Sequence, residues 1–431
     1  MRQGRSACAL PILRTKSYAA PNIRSLNGHP GEIKMSDDFS IRKLKVEDLD
    51  ALYRIREIAF LDNISRTSPE AQAQHEAMLP YRYGRFRGDE LLSSACWYPF
   101  GAYIGGEPQT IGALASVVSA VTARNQGNVR ALLYHGLEML QADGVGWSLE
   151  YPFDTRYYHK YGWETVSNGL FFEVPIARFA RFNRPDEVER FDALDAAEMA
   201  RLKRIHKSWA SRYNFTLTRD ERVRQDWQYT LKGTPWEPAA GSPFIFATES
   251  AYLVVIFEDS GPSTKLSVTD YAFESPQGRE DIFGFINNFA GQVDSVRLQL
   301  PADDPLIMEW SNFAVAHPHP LHARIVDAAA ALSGWESRAP VDLRVGISDN
   351  FCPWNDAVFQ VETRGGKTHA TRVDAPAQVE LDVRALAQLL SGSLTVSAAQ
   401  RFGLIRGEPG AIETIAAINP NPAFLGIADY F

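Results

Sequence analysis

The chain has 431 residues, 45% of them hydrophobic and 22% charged, and a formal charge of −8. At roughly 100 to 200 residues per domain that length exceeds one core, and three domains are expected. An acidic balance excludes a broad nucleic-acid surface, and no apolar run approaches the roughly 20 residues of a membrane-spanning helix, so neither a nucleic-acid nor a membrane partner is expected. Cys8, Cys96 and Cys352 lie far apart with no C-x-x-C spacing, so no disulfide or zinc cage is indicated, and a reducing, cytoplasmic compartment is expected. The run His317-Pro-His319-Pro-Leu-His322 reads as an extended surface loop held by its prolines rather than a metal site.

Residues 1–36 carry six basic residues against the single acid Glu32, and read either as a mitochondrial-type presequence or as sequence upstream of a true start at Met35, the second being favoured. A short strand after Phe39 leads into an amphipathic helix to Phe60, with Leu49, Leu52, Ile55 and Ala59 at helical spacing. Two apolar runs, 100–104 and 110–118, flank a Gly105-Gly106 hairpin turn and predict antiparallel central strands. A polar loop at 122–130 opens a helix to about Ala142, and a strand at 146–151, a short helix from Asp154 to Tyr161 and a closing strand at 169–174 complete a mixed α/β sheet. A linker rich in Arg and Pro then leads to a second α/β segment. It has a helix at 196–209 and strands at 244–247, 252–257 and 295–300. The last part alternates strands at 341–347, 357–362 and 378–383 with a helix at 384–390 that stops at Gly392. The expected boundaries are 37–180, 181–325 and 326–431.

Two motifs carry chemistry. Arg124-Asn125-Gln126-Gly127-Asn128-Val129-Arg130 lies between a strand and a helix N-terminus, where backbone N–H groups and the helix dipole suit a pyrophosphate. About thirty residues on, Tyr157-Tyr158-His159-Lys160-Tyr161-Gly162-Trp163 starts a short helix, and a Tyr hydroxyl there can protonate a leaving thiolate.

With strand, phosphate loop, helix, strand and Tyr158-x-x-x-Gly162-Trp in this order, residues 37–180 resemble the core of the GNAT acetyltransferases. The full chain after Met35 further resembles the Eis-like (enhanced intracellular survival) N-acetyltransferases, which pair two GNAT-type domains with a sterol-carrier-protein-like C-terminal domain. That resemblance implies acetyl-CoA as co-substrate, no metal, and a small-molecule or peptide amine as acceptor. It also implies a homo-oligomer, with a hexamer as the form to expect. By the same alignment Tyr158 is the general acid and the C-terminal carboxylate of Phe431 the general base. Val117, Val118 and Ser119 contact the pantetheine arm, Arg124 to Arg130 the pyrophosphate, Phe153 and Asp154 the thioester end, and Phe60 and Asp62 the amine.

The chain departs from that pattern twice. Its phosphate loop is thinned to Arg-Asn-Gln, and Tyr430 stands where aminoglycoside-accepting members carry an acid. The expected reaction is acetyl transfer to a primary amine. The alternatives are a lipid or sterol carrier built on the C-terminal domain and a non-catalytic acyl-CoA sensor.

Overall fold

A computed structural model describes residues 38–61, 68–167, 170–182, 185, 187–191, 195–219, 227, 243–259, 264–315, 320–418, 421–426 and 429. Its first sheet contains β1 (Phe39–Lys43), β2 (Arg82–Arg87), β3 (Glu90–Ile104), β4 (Glu107–Ser119) and β5 (Trp147–Glu150), then strand Leu321–Ile325, then β6 (Glu164–Ser167). The β4–β5 pair is parallel and every other neighbouring pair is antiparallel. On this sheet lie α1 (Leu49–Ala59), α2 (Pro69–Ala77), α3 (Asn128–Ala142) and the short α4 (Thr155–His159). Ser68 caps α2 and Pro69 begins it, a start signal that the sequence analysis passed over, as it did β2.

The strand expected to close this sheet at 169–174 does not join it. That segment forms β7 (Leu170–Pro175), which pairs with Ser295–Leu300 in a second seven-stranded sheet. Leu321–Ile325, buried at all five positions, fills the place between β5 and β6 instead. A local pattern sees that a segment is a strand but not which sheet edge it meets, because that pairing is settled some 150 residues away. The second sheet runs Ala314–Val315, β7, Ser295–Leu300, Thr264–Phe273, Ala251–Asp259, Phe244–Ala247, Glu189–Phe191. A third, five-stranded sheet is built from Asp342–Ser348, Ala357–Arg364, Lys367–Val373, Val379–Asp382 and Ile405–Gly407.

Both faces of the first sheet are covered. Tyr98, Phe100, Leu149 and Ile325 share one core with Leu343, Val345 and Leu386 of the third-sheet region, while Trp97, Leu114 and Trp163 pack on the other face with Leu133 and Leu137 of α3. Two-sided burial explains why β3 and β4 read as apolar runs rather than as alternating strands.

Candidate active site

Strands β4 and β5 are hydrogen-bonded only from Gly112 to Leu114, opposite Ser148 to Glu150. β5 ends at Glu150, opposite Leu114, while β4 runs on to Ser119, so the pairing with β5 leaves the β4 edge from Ala115 to Ser119 open. A bulge falls in this stretch: β4 carries one residue more than β3 between the Cys96–Ala115 and Ser94–Val118 pairs, and Ser116 there has φ 51°. Past Ser119 the chain makes one 3-10 turn and two left-handed residues, Asn125 (φ 61°) and Gly127 (φ 77°), before α3 begins. Gly127 is the N-cap and no side chain caps the helix, so the N–H groups of its first turn stay available to an anion. Arg124, Asn125, Gln126 and Gly127 are exposed, while Asn128 is buried and donates from Nδ2 to the Ala123 carbonyl at 3.0 Å, bracing the turn. These residues fit an acyl-CoA pyrophosphate through backbone donors and the Arg124 charge, and the open β4 edge suits an amide-bearing arm.

Tyr158 lies on α4, 3% exposed, with Trp163 edge-on at 6.1 Å and Tyr157 at 5.1 Å. Burial, and after it the nearby Glu150 carboxyl, push its phenol well above the usual tyrosine range. Burial therefore favours the neutral, protonated phenol of Tyr158. Asp154 caps α4, its Oδ1 accepting from the N–H groups of Arg156 at 2.8 Å and Tyr157 at 3.3 Å. That carboxylate, expected at the thioester end, is committed to holding the helix that carries Tyr158. Phe153 beside it is 71% exposed and touches the Tyr157 and Tyr158 rings at 5.2 and 5.8 Å.

Beneath α4 lie polar residues that the sequence analysis did not single out. Glu150, His322 and Thr165 stand abreast on β5, Leu321–Ile325 and β6. His322 Nδ1 is 2.9 Å from Glu150 Oε1 and its Nε2 is 3.0 Å from Thr165 Oγ1, with the His322 and Glu150 side chains 0% and 2% exposed. Burial raises the Glu150 pKa well above the usual carboxylate range and, with the neighbouring His159, lowers that of His322 to about 3. One step along the same strand Arg324, wholly buried, meets Asp349 at 2.6 Å. Its guanidinium lies under Gly162, where an added Cβ would come within 2.6 Å of Cζ, and Gly162 itself has φ +90°. The Tyr-x-x-x-Gly spacing is thus a packing requirement as much as a chemical one. His322 is no surface-loop residue, as the His-Pro run suggested. Pro320 ends that run and the strand begins at Leu321, while His317 and His319 lie outside the described residues.

Of the remaining expected residues, Val117 and Ser119 are half-buried and Val118 is buried on β4. Ser119 Oγ donates to the Leu92 carbonyl at 3.4 Å. Val129 and Arg130 are half-buried in the first turn of α3, the Arg130 guanidinium 5.7 Å from the Phe351 ring. Phe60 is 48% exposed at the end of α1, with Arg56 over its ring at 4.9 Å. Asp62 and Phe431 lie outside the described residues.

Residues 40–166 match the acetyltransferase (GNAT) domain family and residues 326–424 the sterol carrier protein domain family. An uncharacterized N-acetyltransferase of Streptomyces avermitilis is 25% identical over 36% of this chain and 39% of its own length. Another from Streptomyces coelicolor is 31% identical over 25% of this chain and 26% of its own. The alignments thus span well under half of those relatives. Among solved structures, a GCN5-related N-acetyltransferase from Anabaena variabilis superposes with TM-score 0.76 at 19% identity, covering 91% of this chain and 100% of its own. Eis1 from Mycobacterium abscessus does so with TM-score 0.72 at 21% identity, over 91% and 100%. Residues 40–166 thus carry a GNAT acetyltransferase domain, and residues 326–424 a sterol carrier protein domain. Over 91% of its length the chain shares the fold of the Anabaena variabilis and Mycobacterium abscessus structures, and GNAT domains as a class use acyl-CoA.

Proposed function

We propose that the protein transfers acetyl from acetyl-CoA to a primary amine, with Tyr158 as general acid and the Phe431 carboxylate as general base. The observation that carries this reading is a buried Tyr158 in one core cluster with Leu114 of β4 and with Val129 and Leu132 of the helix that the phosphate-suited loop opens. In the reaction the amine nitrogen, once deprotonated, attacks the thioester carbonyl, and the Tyr158 proton moves to the departing sulfur. Backbone N–H groups along the open β4 edge are suited to the carbonyl oxygen. A terminal carboxylate with a reference pKa of about 3.3 to 3.7 is a weak base toward an ammonium near 10.4, so in this reading it mainly attracts and orients the amine and gains basicity by desolvation. The described part of the tail is anchored. Thr216 Oγ1 and Gln299 Nε2 donate to the carbonyls of Phe424 and Leu425 at 2.7 and 3.1 Å, and Arg219 Nε donates to Asp429 at 2.8 Å, two residues before Phe431.

The test is acetylation of an amine panel (lysine, tyramine, histamine, a tripeptide amino terminus and kanamycin) by the native chain and by one extended after Phe431. Turnover by the native chain, lost on extension while acetyl-CoA still binds, is the expected result, with kanamycin the poorest acceptor because Tyr430 supplies no charge. Equal turnover by both chains removes the terminal base from the reading. Absence of turnover with retained acetyl-CoA binding favours the sensor, and absence of binding favours the lipid carrier. Sedimentation of the purified chain tests the homo-oligomer, expected as a hexamer.

A further inference from the structure

Residues 349–356 join strand Asp342–Ser348 of the third sheet to strand Ala357–Arg364, and their polar groups reach out of that sheet to the first. Asp349 Oδ1 accepts from the N–H groups of Phe351 and Cys352 at 3.0 Å each, while Oδ2 takes Arg324 Nη2 at 2.6 Å and Asn355 Nδ2 at 3.1 Å. Trp354 Nε1 and Asn355 Nδ2 donate to the Val326 carbonyl at 2.8 and 3.1 Å, and Asn355 Oδ1 accepts from the Ala328 N–H at 2.9 Å. Asp349 and Asn355 are both buried, so these bonds fix the loop against strand Leu321–Ile325 and the residues after it. The loop in turn carries Phe351 to α3. That ring, 6% exposed, meets Tyr134 edge-on at 5.7 Å and Tyr161 at 5.0 Å, and the Arg130 guanidinium lies over it at 5.7 Å.

We propose that Phe351, a residue of the region matched to the sterol carrier protein family, is a positioning residue for acyl-CoA, holding the Arg130 guanidinium for the phosphates at the open end of α3. The inference rests on the reading of that helix end as the pyrophosphate site. Arg130 is the third residue of α3, so its own N–H is one of the first-turn donors that lack an intrahelical acceptor. Its side chain forms no ion pair among the described residues, which leaves the charge to an incoming anion. A guanidinium laid on an aromatic face keeps one orientation and is partly desolvated, so it meets a phosphate with less ordering and in a lower dielectric than a free one. The loop, thinned to Arg124 before Gly127, gains its second cation in this way. The C-terminal region thereby completes the acyl-CoA site instead of only covering the first sheet.

The experiment titrates the full chain with acetyl-CoA by calorimetry and compares the native protein with Phe351→Leu, Arg130→Gln, the variant carrying both changes, and Arg130→Lys. Phe351→Leu should weaken acetyl-CoA binding about five-fold and Arg130→Gln about ten-fold. The double variant should bind no more weakly than Arg130→Gln alone, because the ring acts only through the guanidinium. Arg130→Lys keeps the charge but loses the flat group that lies on the ring, and should weaken binding about three-fold or more. It reads the same contact should Phe351→Leu fail to fold. Losses that add in the double variant would show that the ring merely packs α3, and would overturn the positioning role. Native affinity in Phe351→Leu or in Arg130→Lys would overturn it as well. A native chain that binds no acetyl-CoA removes the phosphate site and this inference together, whereas binding without turnover removes only the acetyl transfer.

Discussion

Two strand-to-helix junctions in this molecule occupy equivalent places in the two seven-stranded sheets, and they end differently. In the first, β4 pairs in parallel with β5 over three residues, then crosses a loop with two left-handed residues into the uncapped α3. In the second, Thr264–Phe273 pairs in parallel with Ser295–Leu300 over three residues, and Glu274 and Ser275 lead straight into helix Pro276–Ile286. There Ser275 Oγ accepts from the Gly278 N–H at 3.1 Å and Pro276 has no N–H to offer. The flank of that strand is filled as well: Asp270 takes a bidentate pair from Arg219 at 2.6 and 3.0 Å, Tyr252 donates to it at 2.8 Å, and Arg219 also holds Asp429. The same topology thus provides an open anion-facing helix end in one sheet and a closed, self-satisfied one in the other. What separates them is a loop over 120–127 against the two residues 274–275, and one cap.

The comparison can be broken in four places. Asp270→Ala leaves the buried Arg219 short of a partner and should cost about 3–5 kcal/mol of stability in urea unfolding, with acetyl-CoA affinity preserved. An equal loss of affinity would mean that the second sheet takes part in binding. Gly162→Ala drives a methyl onto the Arg324 guanidinium from a left-handed backbone and should destabilise by about 2 kcal/mol, read as a lower urea midpoint. Gly127→Val has open space for its side chain but the wrong φ, so the loop must re-form. Acetyl-CoA affinity by calorimetry should weaken by about ten-fold, with little change in melting temperature.

The fourth effect is on pH dependence. His322 has its folded pKa lowered to about 3 from an unfolded value near 6.5, so between those values the unfolded chain binds the extra proton. Stability from this group is full above about pH 6.5 and is lost as pH falls toward 3, at up to about 1.4 kcal/mol per unit. Unfolding at about pH 7 and about pH 5 should therefore show the native chain losing more than His322→Gln. A parallel decline in both would show that the imidazole titrates alike folded and unfolded.

Much of the first sheet was legible because its signals are local. The spacing of Leu49, Leu52 and Ile55, the Gly105-Gly106 turn and the loop ending at Gly127 each report on their own few residues, and each element stands where it was expected. Gly162 and the pair Tyr157-Tyr158 were legible in one short motif, and the family resemblance chose Tyr158. The buried row was not. Glu150 looked like one polar letter in an apolar strand, and His322 like the end of a His-Pro loop, because nothing in either segment refers to the other. The only sequence signal was an acid inside a segment read as fully buried, which calls for a partner without naming it.

By itself, then, the sequence determined the mixed α/β class and the order of the candidate-site strand, loop and helix, since these follow from backbone propensities and side-chain spacing within a dozen residues, while the choice of Tyr158 over Tyr157 came from the family resemblance. Only the tertiary structure decided that a strand from residue 321 enters the first sheet, that β7 leaves it, and that Glu150, His322 and Arg324 lie beneath Tyr158 and Gly162. Those choices depend on which distant edges pair and on how buried charges find partners, and both are properties of the folded whole.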